Sequence, residues 1–591
     1  MKVQQQPEGT IRVIATVIAI ATLVCGSIGW ALKFGVSLET LPVIVVRTIW
    51  LFIPRPEVMS DPANNTVLKA GATLGALSGG VGAFAIWMAA ANAKLSHLLT
   101  RFVRRGHTLV IGNTPLAFRL VRALKSENAV PVHVTDVLVL RQERKTDDLR
   151  MTLDLTPETL ARKAGLLRAS SVVIDMGNDA DTMVTAKPIL RWLERNGPGT
   201  VRHMTVRIAD PFLADMFLEF SQKIGLGKLV RVSAFDENRV AARHALSSQP
   251  LFVRAAARGQ SRVHALIVGF GDFGEKLFDQ IMLTSIAGDL EQPRVTIVDK
   301  DAGRLQREFA TRRPGVCESL DVSFIEMDIG AVPLEGAYVG EQVAGLVAAE
   351  KKDPLTAIYL TLPTPADNIR AALLLQRHYE RNKTLAAPIL YRSRGTAGID
   401  GSLLEVTHVA DDADHGFIPL PSPDERLARF VLGEADLEKL ARKLHENYLK
   451  GAEKAEAASR SWNNLPETMR RSNIRAADHL KAKLWTLGIG LPLGEGLPTL
   501  SDEDHETLKA LRNSKKGGKA LVRLARIEHD RWMVDRQLDG WVYGPERDDT
   551  RRIHPKLVPF DDLSMTPADI DKDVQQILAA VDHMLEKDAA G

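Results

Sequence analysis

Three patterns of apolar and polar positions succeed one another along the chain. The first is an unbroken apolar run: Val13 to Leu32 carries no charge for twenty positions, and Ala70 to Ala91 none for twenty-two. At about 1.5 Å per residue each is long enough to cross a hydrocarbon core of about 30 Å. The pattern therefore predicts a membrane region, 1–105, with two transmembrane helices at about 13–33 and 70–93. A signal peptide is the rival reading of the first run, which comes after Lys2 and Arg12, but a second run of span length lies beyond it. Gly71, Gly75, Gly79, Gly80 and Gly82 would let helices approach closely in lipid. Between the runs, Leu41 to Ile53 contains Arg47 and is too short to span. It predicts a re-entrant or interfacial segment, with an amphipathic helix lying on the membrane as the alternative. Lys94, Arg101, Arg104 and Arg105 come after the second run and favour a cytoplasmic side for the rest of the chain. The expected placement is thus an inner or plasma membrane, multi-pass, with the large C-terminal part cytoplasmic.

From Gly106 the period changes to short buried strands alternating with helices. His107–Ile111, Pro131–Asp136, Ser171–Asp175 and Val201–Ile208 read as strands, with a helix over Leu116–Leu124. The alternation recurs with His264–Val268, Val295–Val298, Val322–Ile325 and Ala357–Leu362. Such spacing predicts α/β architecture: two tandem Rossmann-like doubly wound parallel sheets, 106–245 and 262–410.

The strand His264–Val268 runs into Gly269-Phe270-Gly271-Asp272-Phe273-Gly274 and then a helix. Gly269 permits a tight turn, Gly271 lets the backbone approach a pyrophosphate, and Gly274 allows the helix to pack close to the strand. The helix N-terminus presents free N–H groups to phosphate. Asp299 ends the next strand, twenty-five residues after Gly274, placed to accept from ribose hydroxyls. These four residues are the candidate cofactor site, for NAD(H) or another adenine nucleotide. Alternatively the glycines only shape an empty turn. In the first unit Gly112, Thr114 and Ala117 occupy the three glycine places. Thr114 adds a side chain where phosphate should approach, and Pro115 removes an N–H, so a structural or dimerising role is expected there.

With the two-helix region, Arg104-Arg105-Gly106-His107, Asp154, Lys163-Ala164-Gly165-Leu166 and Ser170-Ser171-Val172-Val173-Ile174, residues 10–410 resemble the regulator-of-potassium-conductance proteins (RCK, or TrkA-N). That resemblance implies a nucleotide-regulated gate beneath a cation pore, assembled as a homo-oligomer (a dimer or a tetramer). No Thr-Val-Gly-Tyr-Gly filter is present, so no selectivity is read.

The third pattern begins after Pro419–Pro423. Asp424–Ala458 is helical and charged, Gly488–Pro498 is rich in Gly and Pro, and Ala520–Leu538 has helical periodicity. Beyond it lie Trp541 and Tyr543 among glycines and prolines. Trp532, Trp541 and Tyr543, with Arg551 and Arg552 nearby, could stack a base and pair phosphates, or the aromatics could fill a small core. Glu528-His529-Asp530-Arg531-Trp532, Leu538-Asp539-Gly540-Trp541, Tyr543-Gly544 and His554 to Leu563 resemble the ryanodine-receptor (RyR) domain. Trp462–Pro466 and Ser472–His479 also fit the bacterial version, over 425–585 in all. The resemblance implies a mainly helical module that senses a nucleotide-derived messenger.

Composition narrows the classes. The 76 basic and 73 acidic residues leave a charge of +3, which excludes nucleic-acid binding by bulk charge. Two cysteines exclude a disulfide framework or a cysteine-built zinc site. No P-loop lysine motif or nucleophile elbow is present, so no catalytic residues are assigned and the chain is not expected to be an enzyme. The function expected is a membrane-anchored, nucleotide- or ligand-gated cation channel, possible ions including potassium. The alternatives are a non-conducting tethered nucleotide sensor acting through partners, and an NAD(P)-dependent membrane oxidoreductase.

Overall fold

The computed structural model describes residues 7–37, 39–49, 51, 56–76, 105–136, 150–331, 353–382, 387–392, 417–433, 436–451, 460–462, 465, 467–491, 499–513, 518–563, 577–578, 580–582 and 584–585. Met1–Arg104 and Arg105–Gly591 are two compact units.

The first unit contains helices α1 (Pro7–Phe34), α2 (Leu41–Ile49), α3 (Pro56–Ser60) and α4 (66–76). Small residues bring α1 and α4 together backbone to backbone. A Cβ on Gly29 would lie 2.6 Å from the Cα of Leu68, and one on Gly71 would lie 2.8 Å from the nitrogen of Gly26. Trp30 stacks on Phe34 at 5.4 Å, and the Arg47 guanidinium covers both rings at 5.1 and 5.0 Å.

The expected two-span membrane region is corrected here: among the described residues no helix is long and apolar enough to cross a membrane. Helix α1 has Lys33 in its last turn. The second expected span, 70–93, is described only as far as residue 76. The expected multi-pass placement in an inner or plasma membrane is overturned by the same finding. Of the segment expected at 41–53, residues 41–49 form the helix α2, and 50, 52 and 53 lie outside the described residues.

The second unit carries two six-stranded parallel sheets of the same topology. The first is built from β1 (His107–Ile111), β2 (Pro131–Asp136), β3 (Arg150–Leu153), β4 (Ala169–Ile174), β5 (His203–Arg207) and β6 (Arg231–Phe235), in the order β3-β2-β1-β4-β5-β6. The second uses β7 (Arg262–Val268), β8 (Glu291–Asp299), β9 (Asp321–Glu326), β10 (Ala357–Leu360), β11 (Ile389–Tyr391) and β12 (Phe417–Pro419), in the order β9-β8-β7-β10-β11-β12. Both have the Rossmann pattern, in which the strand order reverses beside the first strand and opens a crevice at the carboxyl ends. The inner strands are apolar on both faces because helices cover both; all five residues of β1 are buried.

Helices α5 (Pro115–Ser126), α6 (Asp179–Asn196), α7 (Pro211–Lys223), α8 (Glu237–Ser248) and α9 (Leu251–Ala257) belong to the first half. Helices α10 (Asp272–Thr284), α11 (Ala302–Arg312) and α12 (Pro365–Asn382) belong to the second. The halves are interlocked: Ala241, Ala242 and Ala245 of α8 lie in one apolar core with Leu277, Phe278 and Ile281 of α10. Helix α13 (Asp424–Leu432) then returns to the first half. Its Leu427, Ala428 and Val431 share a core with Leu116, Leu120 and Leu124 of α5.

The rest is helical: α14 (Asp436–Gly451), α15 (Glu467–Asp478), α16 (Leu480–Thr486), α17 (Asp502–Asn513) and α18 (Lys519–Leu538). A two-residue parallel pair, β13 (Val542–Tyr543) with β14 (Ile553–His554), comes after α18. This region has its own core around Leu444, Leu465, Leu508 and Leu524. It also gives Ala482, Ile527, Val534 and Leu538 to the core of the second sheet.

Candidate functional site

The glycine loop joins β7 to α10. Gly269 sits at φ +94°, a conformation that favours glycine, and a Cβ there would lie 3.2 Å from the nitrogen of Leu362. A Cβ on Gly274 would come within 2.3 Å of the Gly269 carbonyl oxygen, so helix and turn meet at a distance only glycine allows. Gly271 differs from both: a Cβ there would meet nothing within 4 Å. It is the N-cap of α10 and offers no side-chain cap. Glu275 is the residue whose N–H bonds back to the Gly271 carbonyl, at 2.9 Å. The helical N–H groups before it point out of the helix mouth. Open space and unsatisfied donors thus coincide at Gly271, the arrangement a phosphate needs.

Asp299 is brought to this loop by β8. Its carboxylate accepts from the N–H of Phe270 at 2.8 Å and from that of Asp301 at 2.9 Å. The structure therefore joins all four residues of the candidate cofactor site. Beneath the turn the buried Phe270 ring meets Phe309 and Phe324 edge-on, each at 5.5 Å, which fixes the loop from below.

Sequence reasoning missed two further residues at this mouth. Arg392, just after β11, places its guanidinium 4.4 Å from the Phe273 ring centre and donates to Asn238 Oδ1 at 2.7 Å. Asn238, on α8, in turn donates to Asp272. A cation thus stands beside a helix whose first turn carries Asp272 and Glu275. Neither residue is near the motif in the chain, and only the fold brings them there.

Among the described residues the first half has no comparable opening. Thr114 caps α5, accepting from the N–H of Ala117 at 3.0 Å, and its hydroxyl donates to Asp175. A Cβ on Gly112, at φ +145°, would lie 1.8 Å from the Asp175 carbonyl oxygen. The place a phosphate would take is filled by the chain's own bonds.

In the C-terminal region Trp532 and Trp541 come together around His554, with ring centres at 5.0 and 6.1 Å. The Arg536 guanidinium lies 6.0 Å from Trp532 and 5.6 Å from Trp541. Burial, then Arg547, Arg536 and Lys556, push the His554 imidazole down to about 4. Its Nδ1 accepts from the Lys556 N–H at 3.1 Å, so a neutral ring sits among cations. Tyr543 and Arg551 remain exposed at the edge. Arg552 has a structural job: at φ +56° it donates to the Asp539 carbonyl. Arg536, one turn from Trp532 on α18, was missed among the site residues, although its spacing from Trp532 was a usable signal.

The two regions are joined through α10. On the flank away from the loop, Glu275 takes Arg312 at 2.8 Å and Arg313 at 2.7 Å, and Arg313 also holds Asp279. Gln280 bonds Asp478 of α15. Arg475 of α15 reaches Asp535 and Asp539 of α18, and Ser472 donates to Asp535 at 2.6 Å. Arg531 pairs with Glu528 at 2.7 Å, as does Lys483 of α16. Burial alone would raise Asp535 and Glu528. Arg475 and Arg531 instead hold Asp535 far below the usual carboxylate range, and Arg531 and Lys483 hold Glu528 at about 2. Burial, together with Lys483, pushes His479 down to about 3, while its Nε2 is bonded to the Ile286 carbonyl at 2.7 Å.

Within the C-terminal region, residues 514–584 match the RyR domain family. A crystal structure of a GsuK mutant is similar over 73% of this chain and 100% of its own, at 15% identity and TM-score 0.35. A structure of GsuK bound to ADP is similar over 71% and 96%, at 15% identity and TM-score 0.33. Dipicolinate synthase A chain from Bacillus subtilis is similar over 56% and 98%, at 11% identity and TM-score 0.21. The paired sheets and the RyR match agree with the RCK-plus-RyR arrangement that the sequence resembles.

Proposed function

We propose that the chain is a nucleotide-responsive regulator. An adenine nucleotide, NAD(H) or a nucleoside diphosphate, binds with its phosphates at Gly269, Gly271 and Gly274 and its ribose hydroxyls at Asp299. The open space at Gly271 on an uncapped helix mouth is the observation that carries this reading. Helix α10 then serves as the relay, because its loop end meets the ligand while its flank is clamped to the C-terminal region. A ligand can shift such an assembly only through different affinity for two states. The Trp532–His554–Trp541 cluster with Arg536 is a second surface suited to stacking a base, with Tyr543 and Arg551 at its rim. From the RCK-like residues of the sequence, the process regulated is cation transport, potassium in the first instance, by a homo-oligomeric assembly.

The test is titration of the full chain with ADP and with NADH by calorimetry. Gly271→Glu places a carboxylate in the phosphate position and should weaken either ligand by at least about tenfold, roughly 1.4 kcal/mol. Unchanged binding in that variant would remove the site.

A further inference from the structure

Two cavities meet where the loop after α10 faces α16 and α18. One, of about 530 Å³, has an apolar floor of Ile286, Leu290, Val522 and Ile527. Its polar wall is Lys519, Arg523, Arg526 and Asp530, three of them cations one turn apart on α18. The other, of about 440 Å³, shares Gly288, Asp289, Leu290 and Arg523 with it and adds Trp485. The loop is held open from the C-terminal side: His479 bonds the Ile286 carbonyl, and the Gly288 N–H donates to Thr486 at 2.9 Å.

The cations of this wall are unequally committed. Arg526 is engaged by both oxygens of Asp561, at 2.5 and 2.7 Å. Arg523 meets Asp289 at 2.8 Å, but the Asp289 side chain is 87% exposed, and so exposed a pair is weak and readily exchanged. The Arg523 Nε is buried without a hydrogen-bond partner, and Lys519 has no ion pair among the described residues. The Arg523 Nη1 donates to the Thr486 carbonyl at 3.3 Å.

We propose that this junction binds a small organic anion. Its charged group is held by Lys519 and Arg523, and its apolar body lies on Ile286, Leu290, Val522 and Ile527. The site is separate from the glycine loop: it lies at the C-terminal end of α10, about 20 Å along the helix from Gly271. Its occupant touches the loop leaving α10 and the wall of α18 at once, so it reads the same interface from the opposite end. Asp530 tunes the site. Burial raises its carboxyl to about 6, with Arg526 opposing and Asp561 adding to the rise. Below that pH the wall loses a negative charge, so an anion binds more tightly.

Benzenesulfonate, whose charge does not titrate, is the probe, measured on the full chain by calorimetry. One saturable site per chain is expected, with sulfate alone and benzyl alcohol alone at least about tenfold weaker. Lys519→Gln and Arg523→Gln should each weaken the probe by about tenfold. Val522→Trp should fill the cavity and remove binding with an unchanged far-UV spectrum. Binding should tighten from pH 7.5 to pH 5, and less so in Asp530→Asn. No saturable uptake, or uptake indifferent to Lys519→Gln, Arg523→Gln and Val522→Trp, would overturn the proposal.

Discussion

At the scale of single residues, the two halves show how one atom decides whether a Rossmann-like turn stays open. Gly271 leaves space; Thr114, at the matching place, spends its hydroxyl on Asp175 and its oxygen on the Ala117 N–H. Thr114→Ala should therefore cost about 1 kcal/mol of stability through the lost cap, read by urea denaturation, with nucleotide affinity unchanged. His479 gives a pH signature. Its folded-state value, about 3, lies below its unfolded value of 6.5. The unfolded chain thus binds the extra proton, and stability falls as pH drops from about 6.5 toward 3, by up to about 1.4 kcal/mol per pH unit. His479→Gln should flatten the urea midpoint between pH 6.5 and pH 5; an unchanged slope would exclude His479 as its source. The glycine loop and Asp299 were legible in the sequence because their chemistry is local, a turn and the end of the next strand. Arg392 and Asn238 were not, because nothing near them in the chain marks them as neighbours of Phe273 and Asp272.

At the scale of elements, α10 is the part on which the others converge. It is amphipathic in an unusual way: Glu275, Lys276 and Gln280 are buried along with its leucines and phenylalanines. Arg312 and Arg313 pair with Glu275, Asp236 and Asp272 lie 4.0 and 3.8 Å from the Lys276 ammonium, and Gln280 bonds Asp478 of α15. Removing one member of such a buried network strands its partner. Asp535→Leu or Arg475→Leu alone should cost about 3–5 kcal/mol, and the double variant less than the sum, measured as a double-mutant cycle. The longer inner strands, and β9 at an edge, were readable as apolar runs. Strands β3, β6 and β12 at sheet edges and the three-residue inner strand β11 were not, because short strands carry too little pattern. Phe417–Pro419 is only three residues long and includes a proline, which an edge tolerates and a centre does not. The first apolar run was legible as a helix, and the second is helical as far as residue 76, but no described helix is long and apolar enough to cross a membrane.

At the scale of the whole molecule, the second sheet and the C-terminal region form one cooperative body, because Ile527, Val534 and Leu538 of α18 complete the core around α10. Leu538→Ala should cost about 2–5 kcal/mol and lower hydrogen-exchange protection in β7 and in α18 together. Protection lost in α18 alone would mean that the two are independent. Sequence periodicity separated these regions at Pro419–Pro423, where composition changes, and gave no sign that they share an interior.

The return of α13 to the first sheet has a consequence for biosynthesis. Leu427, Ala428 and Val431 seal the apolar side of α5, so the first half waits for a stretch made some 300 residues later. A nascent chain that stalls or is cleaved before residue 424 leaves that strip wet and adhesive. Truncations ending between the two halves should accumulate as aggregates, while supplying the missing stretch as a peptide should rescue them.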